Sequence, residues 1–207
     1  THSQSLRKVR RMTPIEPFEQ DIANHNVELA SAAWSLIRQS LSEINVKARD
    51  CIYKQHNIGD RWLFLINGIV ASRQTNIDGT LSIARFFEPS DFCANLTSTW
   101  EKDYAGDELI ALTNVTGIEV PDHTFRYEFL GGGDFGLYLR LKLMATLCFD
   151  KELICVKTNA STEARYRFLE QHQSSIIESV QQKDVAAFLG VTPQGLSRFL
   201  KKRNGRN

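Results

Sequence analysis

The chain has 207 residues, of which 42% are hydrophobic and 24% are charged, and its formal net charge is +1 at pH 7. This composition is typical of a globular protein, so it excludes a chain that is disordered throughout and one that binds nucleic acid through overall positive charge alone. No apolar run reaches the roughly 20 residues of a membrane span, and the basic N-terminus lacks the apolar segment of a secretory signal, which predicts a cytoplasmic protein without membrane contact.

The N-terminal region is predicted to combine a loose arm with one long helix. Residues 1–20 are basic and polar and contain Pro14 and Pro17, which predicts a flexible arm. From Asp21 onward apolar residues recur at helical spacing, which predicts a helix of about five turns. We expect this helix to end within Ser42–Val46. The apolar positions are Ile22, Val27, Ala30, Ala33, Trp34, Ile37 and Leu41.

Residues 51–120 are predicted to form short β-strands. Runs rich in β-branched and aromatic residues alternate with turn signals at about ten-residue spacing, which favours an antiparallel sandwich or barrel. Asp78-Gly79 lies between two such runs and predicts a hairpin with a type I′ turn, whose two central residues need positive φ. The predicted strands are Cys51–Tyr53, Trp62–Ile66, Ile69–Ala71, Ser72–Ile77, Thr80–Phe87, Leu109–Asn114 and Gly117–Val120.

A long helix is predicted from about Phe135 to Val156. Two apolar stripes run along it, which is more than one face against a single core requires. One stripe is expected to pack on the β-structure and the other on the same helix of a second chain, giving a homodimer. A helix wedged between two parts of one chain is the alternative. The stripes are Leu137, Leu141, Met144, Cys148 and Cys155, and beside them Leu139, Leu143 and Leu147.

The four cysteines, Cys51, Cys93, Cys148 and Cys155, are widely spaced and include no C-x-x-C pair. Clustered thiolates hold zinc ribbons and iron–sulfur centres, so this spacing argues against both kinds of site, and we expect no metal or cofactor. Buried small hydrophobic side chains are the expected role of these cysteines. A redox or inter-subunit role for Cys148 and Cys155 is the alternative.

The most specific pattern, Gln182–Phe199, has the spacing of a helix-turn-helix. Gly190 occupies the turn, where φ can be positive without strain. Thr192 is suited to cap the second helix and Pro193 to occupy its first position, where a missing N–H costs nothing. The contacts between the two helices are expected from Val185, Leu189, Val191, Leu196 and Phe199, with the small Ala186 at the crossing point.

The second helix, about Thr192–Lys202, is predicted to lie in the major groove of double-stranded DNA. Arg198 lies on its outward face and could pair bidentately with guanine. From Ser161 onward eight basic and four acidic side chains leave a net charge of +4, as expected for a module that contacts phosphates. The predicted DNA-binding residues are Thr192, Gln194, Ser197, Arg198, Lys201, Lys202 and Arg203, the last three at phosphates.

The order of these elements is similar to that of the cyclic-AMP receptor protein/FNR superfamily of transcription regulators. The resemblance implies an α+β protein with an N-terminal cyclic-nucleotide-binding-like β-roll (jelly roll) and flanking helices, a long dimerisation helix and a C-terminal helix-turn-helix. It implies a homodimer on a pseudo-palindromic operator, and it leaves RNA polymerase and an unidentified small-molecule effector as candidate partners. The resemblance covers about residues 20–203, and its anchors are Trp62–Ser72, Asp78-Gly79, Phe87–Phe92, the long helix and Thr162–Tyr166. The expected parts are an arm at 1–20, a sensor domain at 21–134, a dimerisation helix at 135–158 and a DNA-binding domain at 159–207.

The resemblance also implies an effector pocket, which is degenerate in this sequence. Family members that bind cyclic nucleotide carry a Gly-Glu pair that grips the ribose, and an Arg followed by a small hydroxyl residue that neutralises the phosphate. Here these positions are Ala94-Asn95 and Glu108-Leu109. A carboxylate facing a phosphate is repulsive, and Lys102 is the nearest cation, so we expect no response to cyclic nucleotides. The chain ends soon after the second helix, which resembles a shortened, wing-less subgroup.

Two other functions compete with a DNA-binding regulator. The first is a ligand- or protein-binding β-roll whose terminal helices mediate protein contacts. The second is a cupin-like metalloenzyme, but no H-x-H pair occurs among His2, His25, His56, His123 and His172. No Ser-His-Asp or phosphate-loop pattern occurs either, so we expect no enzyme. Gly131–Gly133 are predicted to form a hinge before the long helix.

Overall fold

A computed structural model describes residues 15–104 and 106–205 as a β-roll flanked by helices and followed by a helical C-terminal domain. The helices of these residues are α1 (Ile15–Asn24), α2 (Ser31–Ser40), α3 (Asp122–Gly131), α4 (Asp134–Asn159), α5 (Thr162–His172), α6 (Ser174–Ser179), α7 (Gln182–Leu189) and α8 (Pro193–Asn204). The strands are β1 (Ser42–Val46), β2 (Cys51–Tyr53), β3 (Arg61–Asn67), β4 (Val70–Thr75), β5 (Leu81–Phe87), β6 (Phe92–Cys93), β7 (Glu108–Ala111) and β8 (Val115–Pro121). A π-helical turn spans Thr97–Glu101.

Two four-stranded antiparallel sheets form the β-roll, with strand orders β1-β8-β3-β6 and β2-β7-β4-β5. Strand β3 is buried on both faces, since successive residues along it are buried and successive side chains of a strand point to opposite faces. Leu63 and Leu65 belong to the core between the sheets, whereas Trp62 and Phe64 belong to a core shared with the helices. The predicted sandwich of short strands, and with it the predicted fold class, is therefore confirmed.

The N-terminal prediction was wrong in three respects. Residues 15–20 lie in α1, where Phe18 is fully buried, so they do not belong to an arm; residues 1–14 lie outside the described part. The single helix from Asp21 is two helices, because Asn26 adopts a left-handed conformation with φ of 56° and the chain turns there. Ser42–Val46 is not a helix end but strand β1, which pairs with β8.

The hairpin at Asp78-Gly79 is present, but its turn is not type I′. Only Gly79 of the two residues has positive φ, at 80°. The Gly79 N–H donates to the Asn76 carbonyl at 2.9 Å, and the Asn76 N–H donates to the Thr80 carbonyl at 2.8 Å. The loop therefore has three residues with glycine in its left-handed position, which is the next most common hairpin form.

The long helix α4 has one buried and one exposed side. Leu139 and Leu153 are buried. The predicted second stripe is only partly covered, because Leu147 is exposed. The predicted dimerisation residues are all exposed on the described chain; they are Leu137, Leu141, Met144, Cys148 and Cys155. Gly131–Gly133 join α3 to α4 rather than a strand to α4.

Among residues 15–104 and 106–205, no helix combines the length and the hydropathy that a membrane span requires. Within the same residues, no three His, Cys, Asp or Glu side chains group in a way that could hold a metal ion.

Candidate nucleic-acid interface and effector cavity

The helix-turn-helix forms from α7 and α8 as the sequence pattern predicts. Gly190 ends α7 with φ of 70°, a conformation that glycine adopts without strain. The Thr192 hydroxyl accepts a hydrogen bond from the Gly195 N–H at 3.0 Å, and Pro193 is the first residue of α8. Leu196 is buried between the helices, so both helices are held at fixed positions.

One side of α8 is exposed in the described part of the chain. Gln194, Arg198 and Lys202 follow one another at intervals of four residues, so they lie on one side of the helix, and all are exposed. Within residues 15–104 and 106–205, neither Arg198 nor Lys202 forms an ion pair, and Lys201 beside them forms none. Of the other predicted DNA-binding residues, Thr192 is exposed at the start of this side and Ser197 is half-buried.

Arg203 differs from the other predicted phosphate contacts. Its guanidinium donates to Glu170 at 2.6 Å and lies 5.0 Å from the centre of the Tyr166 ring. Both partners belong to α5, so Arg203 attaches the end of α8 to that helix. Phe199 also packs on Tyr166, with ring centres 5.5 Å apart. The sequence signal for Arg203 was its position in a basic run, which gives no information about an acidic partner more than thirty residues away.

Helix α7 packs against strand β5 of the β-roll, and this docking fixes where the helix-turn-helix lies. The buried rings of Phe188 and Phe86 stack with centres 5.0 Å apart. Asp184, also buried, accepts a hydrogen bond from Arg49 in the loop between β1 and β2 at 2.7 Å. These contacts join residues far apart in sequence, so no local pattern could have predicted them.

Lys157, near the end of α4, adds a polar connection at the same junction. Its ammonium donates to the carbonyl oxygens of Ile83 and Ala84 at 2.5 and 3.1 Å, and it lies 4.5 Å from the centre of the Phe188 ring. Burial, together with the smaller effect of the Arg165 charge, lowers the pKa of Lys157 from its usual value to about 8.

A cavity of about 240 Å³ lies between the β-roll and α4. Its apolar wall includes Trp62, Phe87, Phe92, Phe125, Leu139 and Leu143. Its polar and charged wall includes Ser72, Arg85, Asn95, Asp107, Lys142 and Asp150. The cavity therefore offers both aromatic surface and charged groups, which is the usual composition of a small-molecule site.

The four residues predicted to mark the effector pocket divide into two pairs. Ala94 and Asn95 do line the cavity. Glu108 and Leu109 do not: Glu108 accepts a hydrogen bond from Arg73 at 2.7 Å, and Leu109 is buried between the sheets. Asp107, one residue earlier, faces the cavity and accepts a hydrogen bond from Ser72.

The charged groups around the cavity largely neutralise one another. Arg85 on β5 donates to Asp150 on α4 at 2.7 Å, and Lys142 on α4 lies 3.4 Å from Asp21. Burial raises the pKa of Asp107 and that of Asp150, although hydrogen bonds from Ser72 and Arg85 respectively oppose the shift. Lys102, which the sequence suggested as the nearest cation, is not in the lining; it pairs with Asp122 at 2.7 Å. The sequence signal for Arg85 was its position two residues before Phe87 on the same predicted strand, since both line the cavity.

No family model matches the sequence, and no curated protein matches it. Several solved structures share its fold. FixK2 from Bradyrhizobium japonicum aligns with a TM-score of 0.65 at 15% identity, over 80% of this chain and 85% of FixK2. The c-di-GMP-responsive global regulator CLP from Xanthomonas campestris aligns with a TM-score of 0.64 at 14% identity, over 86% of this chain and 93% of CLP.

A mutant of CooA from Carboxydothermus hydrogenoformans aligns over 96% of this chain and 87% of CooA, with a TM-score of 0.62 at 13% identity. At 96% of this chain, the CooA alignment includes the β-roll, the long helix and the helical C-terminal part. FixK2, CLP and CooA are regulators of the Crp/Fnr family. The chain therefore has the fold of the Crp/Fnr-family regulators, a cyclic-nucleotide-binding β-roll followed by a C-terminal helical domain.

Proposed function

We propose that this protein is a dimeric, cytoplasmic DNA-binding transcription regulator of the Crp/Fnr type that is not an enzyme and does not respond to cyclic nucleotides. The observation that carries the proposal is the exposed side of α8, where Gln194, Arg198 and Lys202 line up on a capped helix that α7 holds in place. A helix presented in this way fits the major groove of B-DNA.

The chemistry of these side chains supports a division of roles. Arg198 carries a guanidinium that can donate two parallel hydrogen bonds to the O6 and N7 atoms of guanine, and Gln194 can pair with adenine. Lys201 and Lys202 lie farther along the helix and are suited to phosphate contacts, which add affinity without sequence preference. Arg203 stabilises α8 against α5 and contributes to DNA binding through that position.

The exposed side of α4 supports the dimer. Leu137, Leu141 and Met144 are between 42% and 61% exposed, although all three are large and apolar. Their spacing of four and then three residues is the heptad pattern of a two-stranded coiled coil. A dimer about this helix covers the apolar side and gives two copies of α8, as a two-fold operator requires.

The cavity supports the absence of a cyclic-nucleotide response. A cyclic phosphate needs a cation that is free to face it, but Arg85 and Lys142 are already paired with carboxylates. Asp107 adds a further carboxylate to the lining, and Asn95 stands where a ribose-binding Glu is expected. Any effector that binds in this cavity is therefore expected to be a molecule other than a cyclic nucleotide. Calorimetric titration with cyclic AMP and with cyclic GMP should show no binding.

The test of DNA recognition begins with a duplex selected by the purified protein from a randomised pool. The selected site should have two-fold symmetry, and footprinting should protect two half-sites. Arg198→Ala should weaken binding to this duplex by about 5- to 150-fold for each half-site of the dimer, because one bidentate base contact contributes about 1–3 kcal/mol. Lys202→Ala should weaken binding to all sequences alike and reduce the salt dependence by about two ions, one for each protomer.

Lys47→Ala is the matched control, because it removes an exposed cation from the β-roll. Its affinity should equal that of the unchanged protein. If folded Arg198→Ala binds the duplex normally, the assignment of Arg198 is wrong. If the unchanged protein selects no sequence and shows no mobility shift at low salt, the proposed function is wrong.

A further inference from the structure

Two cysteines lie on the exposed apolar side of α4. Cys148 and Cys155 are both exposed, and both are free thiols. They continue the series Leu137, Leu141 and Met144 at the same heptad spacing, with the exposed Lys151 between them. The seven-residue interval places the two thiols at equivalent positions in successive heptads.

A disulfide between these two cysteines within one chain is excluded by the geometry of the helix. Seven residues at about 1.5 Å each separate their Cα atoms by about 10.5 Å along the axis. A disulfide needs Cα atoms about 4.4–6.8 Å apart. The two thiols therefore cannot form a disulfide with each other within one chain.

We propose that Cys148 and Cys155 each form a disulfide with their own counterpart in a second copy of this chain, so that a peroxide links the dimer covalently. This inference rests on the homodimer of the proposed function. In a two-fold interface each residue near the axis meets itself. Helix axes about 8–10 Å apart, with Cα atoms about 2.3 Å from each axis, leave about 3.4–5.4 Å between Cα atoms that point straight at each other. That range overlaps the distance of about 4.4–6.8 Å that a disulfide needs.

The side chain between the two thiols explains why a covalent link matters here. In the same two-fold arrangement the Lys151 ammonium groups of the two copies approach each other, and like charges at such a position oppose association. The end of α4 nearest the DNA-binding domain is thus the weakest part of the noncovalent seam. A disulfide on each side of Lys151 holds this end together.

The chemistry needs a two-electron oxidant and no other reactant. Two thiols give up two protons and two electrons as the sulfur–sulfur bond forms, and a peroxide takes them up as its oxygen–oxygen bond breaks. Hydrogen peroxide gives two water molecules, and an organic hydroperoxide gives one alcohol and one water. The other cysteines are less suited to react. Cys93 is fully buried, and burial together with the neighbouring Glu108 raises the pKa of the Cys51 thiol, which reduces its reactive thiolate.

The experiment uses the full chain, first reduced and then treated with hydrogen peroxide, with products separated on nonreducing gels. Covalent dimer should form, dithiothreitol should reverse it, and mass spectrometry should find Cys148–Cys148 and Cys155–Cys155 peptides. Cys148→Ser and Cys155→Ser should each still form the dimer, whereas the double variant should lose it. Cys51→Ser is the control and should behave like the unchanged protein.

Sedimentation of the reduced protein, together with the duplex-binding assay, distinguishes failure of the disulfide proposal from failure of the proposed dimer. If the reduced protein is a dimer that binds the selected duplex but forms no covalent dimer, or if the Cys148/Cys155 double variant still forms one, the disulfide proposal is overturned. If the reduced protein is a monomer at micromolar concentration, the proposed dimer is overturned, and the disulfide proposal with it.

Discussion

Replacing Phe188 with alanine tests whether the helix-turn-helix and the β-roll form one cooperative unit. The ring is buried on α7, stacks on Phe86 of β5 and lies under the Lys157 ammonium. Because three elements converge on this ring, Phe188→Ala leaves a cavity at the junction rather than inside one domain.

The expected cost follows from the size of the ring. Phe→Ala substitutions at buried positions destabilise a protein by about 3–5 kcal/mol. This is a large fraction of a total stability of about 5–15 kcal/mol. For a chain of this length, each kcal/mol corresponds to about 2–4 °C in Tm, so we expect Tm to fall by roughly 6–20 °C.

Urea and thermal unfolding, followed by circular dichroism and tryptophan fluorescence, measure this loss. Since all three tryptophans precede α3, fluorescence follows the β-roll, whereas circular dichroism is dominated by the helices. We expect the two signals to separate in Phe188→Ala as the domains unfold independently. Phe188→Leu keeps most of the apolar volume and should cost about 1 kcal/mol. The reasoning is refuted if Phe188→Ala is no less stable than Phe188→Leu.

Three further substitutions have expected outcomes that unfolding titrations can check. Thr192→Ala removes the cap of α8 and should cost about 0.5–2 kcal/mol. Lys157→Met should remove a pH dependence of the stability. Folding lowers the pKa of Lys157 from 10.5 to about 8, so between these pH values the unfolded chain binds more protons than the folded one. The free energy of unfolding of the unchanged protein should therefore rise with pH in this range relative to that of the variant, by at most about 3 kcal/mol. Although burial alone would raise the pKa of Asp122, hydrogen bonds from Lys102, Trp62 and Arg126 hold it below its usual value. Its carboxylate therefore stabilises the folded state above about pH 4, and the stability difference between the unchanged protein and Asp122→Asn should shrink as pH falls below that value.

The helix-turn-helix could be predicted from sequence because its signals are local. Gly190, Thr192 and Pro193 determine the turn and the cap within four residues, and Leu196 supplies the contact that joins the helices. The N-terminal helices show the opposite case. Ile22 and Ile37 are buried as their periodicity predicts. The turn at Asn26 interrupts the helix, however, while the apolar spacing in the sequence continues across it, so the spacing does not reveal the turn.

The lining of the cavity could be predicted only in part, because successive side chains of a strand point to opposite faces of the sheet. The sequence resemblance selected Glu108, which lies opposite Arg73 in the pairing of β4 with β7 and is not in the cavity lining, whereas its neighbour Asp107 is. The length of the segment between the π-helical turn and β7 determines which of these two residues faces the cavity, and the sequence alone does not reveal it. The contact of Arg49 with Asp184 could not be predicted at all, since the two residues are 135 positions apart in the sequence.

Strand β5 lies between the cavity and the helix-turn-helix, so that the two are separated by the thickness of one strand. Arg85 and Phe87 line the cavity, while Phe86 between them packs on Phe188 of α7. A molecule that enters the cavity and displaces Arg85 from Asp150 therefore acts on the same few peptide groups that support the helix-turn-helix. A ligand of the cavity that shifts β5 would move Phe86 against Phe188, so no chain of intermediate side chains is needed to link the cavity to α7.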